Sequence, residues 1–316
     1  MSAAPAQISV VIPAYNAEAT ICDAVASVLA QGVEDCRVWV IDDASRDRTL
    51  DVLEKAYGSR DDVQRVARLQ NAGPASVRNQ GIASSAGEWV AFLDGDDAWL
   101  PSRLSTQLAL ARQHPDVDLW CAQTSPMGTA PSHDSSGEPP MHRILKREEF
   151  LFHNPVATST VLVRRSALAS AGAFDEQFVG PEDYDLWMRL SERHTLALIE
   201  APLSLYRYVP ESLSMDDRTF LPQVLKVLEK ALAPNGALAD QAHLRKSAFG
   251  NQFWNASWMA FNRGARATAL RYWMKAYRLD HTSEQVRSRP WFTLLYRYCM
   301  GKRIQENELS PSGEAS

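Results

Sequence analysis

Short apolar runs rich in β-branched residues alternate, over the first third of the chain, with stretches whose apolar positions recur at helical spacing. ISVVIP at 8–13 reads as a buried strand that ends at a proline. Ile21, Val25, Val28 and Leu29 then follow at i, i+4, i+7 and i+8, and Gly32 supplies a helix stop. VWVI at 38–41 predicts a second strand, 49–57 a helix, and 63–69 a weaker strand. Asn71 to Pro74 form a turn with proline at a first helical position, ahead of a helix over 75–85 and the buried strand WVAFL at 89–93.

This alternation predicts an α/β fold: an open, mainly parallel, Rossmann-like sheet with helices on both faces. Ligands of such sheets sit beyond the carboxyl ends of the strands. Tyr15-Asn16, Asp42-Asp43 and Asp94–Asp97 each follow a strand directly, so three polar clusters converge on one sheet edge. Further on, the pattern gives a helix over 100–113, a strand over 117–122 and a Pro/Ser/Gly-rich flexible loop over 123–141. A strand at 158–164 and a short helix ending at Gly172 come next. Glu182-Asp183 opens a helix with Leu186, Trp187 and Leu190 on its apolar side, 195–199 is the last strand, and the signals are helical from about Thr219 onward.

The composition of the 316 residues, 45% hydrophobic and 22% charged, excludes disordered, collagenous and coiled-coil classes. The net charge of −5 conceals an asymmetry, because residues 217–316 carry 15 basic against 8 acidic side chains. The expected organisation is therefore an N-terminal tail (1–7), a catalytic body (8–216), a basic, all-helical extension (217–305) and a disordered tail (306–316). No apolar run long enough to span a membrane and no signal-peptide pattern is present, so a cytoplasmic protein is expected. Cys22, Cys36, Cys121 and Cys299 form no CxxC pair and read as reduced thiols.

Asp43, Asp94, Asp96 and Asp97 cannot gather unpaired, because like charges raise one another's pKa. They call for a cation, and an oxygen-only ligand set favours Mg²⁺ or Mn²⁺. A solvated acidic turn is the competing reading of DGDD taken alone. The ordered series ISVVIPAYN, VWVIDDASRDRT, NAGPASVRNQG, WVAFLDGDD and GPEDYDLWMRL, however, resembles the family 2 glycosyltransferases of GT-A fold over roughly residues 8–215.

The resemblance implies a metal-dependent, inverting, non-processive transferase that uses a nucleotide-sugar donor, of UDP type. Pro13, Tyr15, Asp43, Arg78, Asp94, Glu182 and Arg207 would bind substrate, with Tyr15 stacking near the base and Asp43 hydrogen-bonded to it. Arg78 would contact nucleotide or phosphate, and Asp94 and Asp96 would form a DXD pair touching ribose and metal, with Asp97 supporting or replacing Asp96. Asp183 would be the base that deprotonates the acceptor hydroxyl; as a residue at a helix start it can equally be a cap, and Asp185 and Glu182 are its neighbouring alternatives. Two departures stand out. The QxxRW motif of processive members is absent, and Val209 stands where a YRxH-like segment has histidine, a contribution lost or moved to Arg207 or Ser212.

The implied acceptor is a glycan or a lipid-linked glycan of bacterial surface polysaccharide synthesis. No nucleic-acid partner is expected. Gly264, Ala269, Trp273 and Ala276 fit a single tetratricopeptide-like helix pair, which would pack on the catalytic domain or a second subunit. Arg271, Lys275 and Arg278 share one helical face, and peripheral contact with the inner membrane surface is the expectation drawn from them. The rival function is a catalytically inactive glycan-binding or scaffold protein.

Overall fold

A computed structural model describes residues 8–129, 140–208 and 216–281. Residues 1–7, the centre of the expected loop at 123–141, Val209 and Ser212, Cys299 and the expected C-terminal tail lie outside the described residues. The chain divides into two units, Met1–Val209 and Pro210–Ser316.

The first unit is built on β1 (Ile8–Ala14), β2 (Cys36–Asp42), β3 (Val63–Ala67) and β4 (Trp89–Phe92), paired parallel in the order β3-β2-β1-β4. The connecting helices are α1 (Ile21–Leu29), α2 (Thr49–Tyr57) and α3 (Gly73–Ser84). α1 buries Ile21, Ala24, Val25 and Val28, and β1 and β4 are almost wholly buried, as strands covered on both faces must be. α3 approaches β1 closely at Gly81, where an added Cβ would stand 2.3 Å from Val11 Cγ1.

Beyond β4 the sheet becomes mixed, whereas the strand–helix alternation predicts a mainly parallel one. β8 (Leu162–Arg164) runs antiparallel to both β4 and β6 (Leu119–Pro126), and β6 pairs parallel with β9 (Leu196–Tyr206). β9 also takes β5 (Ala98–Trp99) and β7 (His142–Ile144) as antiparallel partners. β5 and β7 have no counterpart in the sequence pattern, since strands of two and three residues carry too little periodicity to be read. β9 runs 11 residues rather than five, and β6 extends through 123–126, residues that the sequence places in the loop. The 158–164 segment splits into a 3-10 turn, Thr158–Thr160, and β8. α4 (Arg103–Gln113), α5 (Arg165–Ala171) and α6 (Glu182–Ser191) complete this unit.

The second unit contains α7 (Asp217–Ala231), α8 (Arg245–Asn262) and α9 (Arg266–Leu279). α8 and α9 are joined by a short turn and meet through small residues: Ala256, Ala260, Ala269 and Ala276 are buried, and Ser257 Oγ donates to the Ala269 carbonyl at 2.8 Å. Asp217, wholly buried at the start of α7, accepts a forked pair of hydrogen bonds from Arg263 (Nε 3.0 Å, Nη2 2.8 Å). No described helix is long and apolar enough to cross a membrane.

Candidate active site

Four strand ends supply the site. At the end of β1, Pro13 is half-buried and Tyr15 is 47% exposed. The loop beyond Tyr15 is tied to the loop after β2: Asn16 N donates to Ser45 Oγ (2.9 Å), Ala17 N to Thr49 Oγ1 (2.8 Å) and Glu18 N to Asp47 Oδ2 (3.0 Å).

Asp43, at the end of β2, is buried and its carboxylate accepts from the backbone N–H groups of Ala72 (3.0 Å) and Gly73 (2.8 Å), the exposed donors at the start of α3. Arg68 reaches the same carboxylate with Nε at 3.5 Å and donates from Nη2 to Ser76 Oγ at 3.2 Å. Arg68 carries no motif, and only its position after a strand end could have flagged it.

The Asp94–Asp97 turn lies between β4 and β5, and the pairing of β5 with β9 fixes its far side. A Cβ on Gly95 would sit 2.9 Å from the Pro13 carbonyl oxygen, so the turn can lie against β1 only with glycine there. Thr20 Oγ1 donates to the Gly95 carbonyl at 2.8 Å. Asp97 is buried, with Oδ2 accepting from Ser159 Oγ (2.6 Å) and Oδ1 from the Arg207 N–H (2.9 Å). Arg207 also donates from Nε to the Asp96 carbonyl at 2.9 Å. Burial, and secondarily the Asp94 charge, pushes the Asp97 carboxyl up to about 7 against those hydrogen bonds. The same two causes raise Asp96 above the ordinary carboxylate range.

Arg78 joins this turn to α6. Buried on α3, it donates from Nη2 to Asp94 Oδ1 and from Nη1 to Glu182 Oε1, both at 2.7 Å, and its guanidinium lies 5.5 Å from the Phe174 ring centroid. Burial opposes its charge, yet the two carboxylates hold its pKa above the usual arginine value. The surface salt bridge that a helix arginine usually makes is therefore not what is seen. Glu182 also accepts from the Gly180 N–H at 2.9 Å, closing the start of α6.

Next to Glu182, Asp183 is partly exposed. Its Oδ2 accepts from Thr158 Oγ1 (2.8 Å) and Asn154 Nδ2 (3.1 Å), and its Oδ1 from the Tyr184 N–H (2.6 Å). Loss of water pushes its carboxyl up to about 6 and the Glu182 charge adds to this, while Thr158 and Arg78 pull it down. Asp185 is committed elsewhere: it pairs with Arg189 at 2.8 Å, and Arg189 donates to the Ala173 carbonyl at 2.7 Å. Thr158 and Ser159 carry no motif because TSTVLVR scans as a strand, its polar Thr-Ser-Thr start being the available signal, and Asn154, just ahead of Pro155, carries no local signal at all.

Arg78 thus brings Asp94, Glu182 and, next in sequence, Asp183 into one constellation. Arg207 and Asp97 hold the turn, and Asp43 with Pro13 and Tyr15 forms the flank nearer β1 and β2. Among the described residues no three acidic, histidine or cysteine side chains gather as a ready metal cage. A half-buried Asp96 raised by burial and a neighbouring carboxylate is the donor set of a hard cation completed by phosphate oxygens of a ligand, so the residues fit Mg²⁺ or Mn²⁺.

Residues 9–171 match the family model "Glycosyl transferase family 2". The chain is 26% identical over 209 residues to the UDP-Glc:alpha-D-GlcNAc-diphosphoundecaprenol beta-1,3-glucosyltransferase WfgD of Escherichia coli, covering 66% of this chain and 79% of that protein. Against two uncharacterized glycosyltransferases of Rickettsia, 28% and 30% identical, it spans 58% and 29% of their length. Among solved structures it is similar to Staphylococcus aureus TarS in complex with UDP-GlcNAc (TM-score 0.69, 18% identity, 95% of this chain and 93% of that one). It is also similar to the mannosyltransferase PcManGT of Pyrobaculum calidifontis in complex with GDP-Man and Mn²⁺ (TM-score 0.59, 16% identity, 95% and 90%). The mixed α/β sheet is therefore the GT-A fold with a helical C-terminal region, and the chain belongs to glycosyl transferase family 2.

Proposed function

We propose that the chain transfers a sugar from a UDP-sugar to a hydroxyl of a lipid-linked glycan in surface polysaccharide synthesis, inverting the anomeric centre by a single displacement. The observation that carries this is the carboxylate of Asp183, partly exposed, raised to about 6 and linked through Glu182 and Arg78 to the Asp94 turn. UDP as the nucleotide is supported by the UDP-Glc donor of WfgD and the UDP-GlcNAc bound to TarS, and the acceptor class by the diphosphoundecaprenol-linked acceptor of WfgD.

Asp43, whose carboxylate faces the start of α3, would accept from the base, and Tyr15 would cover it. Asp183 takes the acceptor proton as the acceptor oxygen attacks the anomeric carbon, and the electron pair of the broken glycosidic bond leaves with the nucleoside diphosphate. Asp96, with Asp94 beside it, would hold Mg²⁺ or Mn²⁺, which when bound neutralises charge on the departing diphosphate. Asp97, both of whose oxygens accept internal hydrogen bonds, acts as the anchor of that turn. Arg78, engaged by two carboxylates, acts by holding Asp94 and Glu182 rather than by gripping phosphate. Release of UDP from UDP-glucose and UDP-GlcNAc, with and without Mn²⁺ and with GDP-mannose as comparison, tests donor and metal together.

A second reading concerns α9, where the exposed Leu270, Met274 and Tyr277 lie in a row next to the exposed Arg271, Lys275 and Arg278. An apolar row flanked by a basic row suits the surface of an anionic bilayer, the place where a lipid-linked acceptor resides.

A further inference from the structure

One 3-10 turn, Thr158–Thr160, touches both halves of the site. The Thr158 hydroxyl donates to Asp183 Oδ2 at 2.8 Å. The next residue, Ser159, donates from Oγ to Asp97 Oδ2 at 2.6 Å, and the same oxygen accepts from the Asp94 N–H at 3.1 Å. The Ser159 carbonyl receives Trp99 Nε1 (2.9 Å) and Ser204 Oγ (3.0 Å), and Thr160 Oγ1 receives the Ala122 N–H (3.0 Å). All three residues are buried. β4, β5, β6 and β9 thus all fix a turn whose two leading hydroxyls point to different carboxylates.

We infer that Thr158 and Ser159 are positioning residues of the transfer reaction, Thr158 holding Asp183 as the base and Ser159 holding the Asp94–Asp97 turn against the donor. This rests on the reading of Asp183 as base given above. A hydroxyl that donates to a carboxylate stabilises its ionised form, so Thr158 keeps the base ready at a lower pH than its surroundings alone would allow. The other charges acting on Asp183 are Glu182 on its own helix and Arg78 from α3, and the Tyr184 hydroxyl, which donates to the Phe150 carbonyl, feels the Asp183 charge in turn. Because the two hydroxyls are neighbours on one rigid turn, the distance between base and donor-side carboxylates is set by backbone rather than by flexible side chains.

The test uses the full chain labelled with ¹³C at the aspartate carboxyl carbon, the Asp183 signal being the one lost in Asp183→Asn. In Thr158→Val the titration midpoint of that signal should rise by about one pH unit, and in Thr158→Ser it should return. UDP binding measured calorimetrically with Mn²⁺ should be unchanged in Thr158→Val but about tenfold weaker in Ser159→Ala, which in turn leaves the Asp183 midpoint in place. Thr160→Val, on the same turn, serves as the control for simple destabilisation and should move neither readout. An unmoved midpoint in Thr158→Val, or equal changes of both readouts in all three variants, overturns the inference. Full turnover by Asp183→Asn would instead remove the base reading, and the titration result would then describe a structural carboxylate.

Discussion

Arg78 is the residue on which the two carboxylate motifs depend. Its partners Asp94 and Glu182 stand 2.7 Å from separate guanidinium nitrogens, and Glu182 is even more deeply buried than Arg78 itself. Removing one member of a buried ion pair leaves an uncompensated charge, at a cost of about 3–5 kcal/mol. Urea unfolding of Arg78→Met should show a loss of that size, whereas Arg48→Ala, which breaks an exposed pair with Glu18, should leave stability nearly unchanged. Equal stability of the two variants would mean that Arg78 is no keystone. The sequence marked Arg78, Asp94, Glu182 and Asp183 by motif, but not that they bond to one another, because Arg78 and Glu182 are 104 positions apart. By sequence Asp96 belongs to the DXD pair and Asp97 is its support or replacement, with nothing to say which of those two roles Asp97 takes. Only the hydrogen bonds on Asp97 from Ser159 and the Arg207 backbone separate an anchoring carboxylate from a more available one.

Among the elements, α3 and the Asp94–Asp97 turn are held to β1 by close backbone approach. At Gly81 a methyl group would meet Val11 Cγ1 at 2.3 Å. Gly81→Ala should therefore destabilise by about 1–3 kcal/mol through overpacking. Combined with Val11→Ala it should cost less than the two changes summed, because the truncated partner makes room; strict additivity in denaturant melts would argue against the contact. The strands β1, β2 and β4 were readable because a strand buried on both faces is a continuous apolar run. β5, β7 and the Thr158–Thr160 turn were not, since they are defined by partners such as β9 rather than by local pattern. The legible elements carry Asp43, Arg78 and Asp94, whereas the illegible Thr158–Thr160 turn carries the two hydroxyls that donate to Asp183 and Asp97.

At the scale of the whole molecule, part of the basic excess of residues 217–316 lies on one described helix. In α9 the basic Arg271, Lys275 and Arg278 flank exposed Leu270, Met274 and Tyr277. Binding to vesicles containing phosphatidylglycerol should weaken with added salt and drop steeply in the triple variant Arg271→Glu, Lys275→Glu, Arg278→Glu, since each basic residue contributes about 1 kcal/mol at an anionic surface. Co-sedimentation insensitive to the charge reversal would dismiss the membrane reading and leave the transferase assignment standing. That assignment rests on the first unit, where the base proposed for the reaction, Asp183, can take a proton only when ionised. With its carboxyl pushed up to about 6, turnover should fall as the pH drops through that value and level off above it.

The most direct measurement is UDP release from UDP-glucose and UDP-GlcNAc, in the presence of Mn²⁺, across pH 5–8, by the native chain and by Asp183→Asn. The expected result is a native rate that rises through about pH 6 and an Asp183→Asn rate lower by about 10²–10⁴-fold, with UDP binding retained. An Asp183→Asn chain that turns over as fast as the native one, with the same pH dependence, would contradict the account.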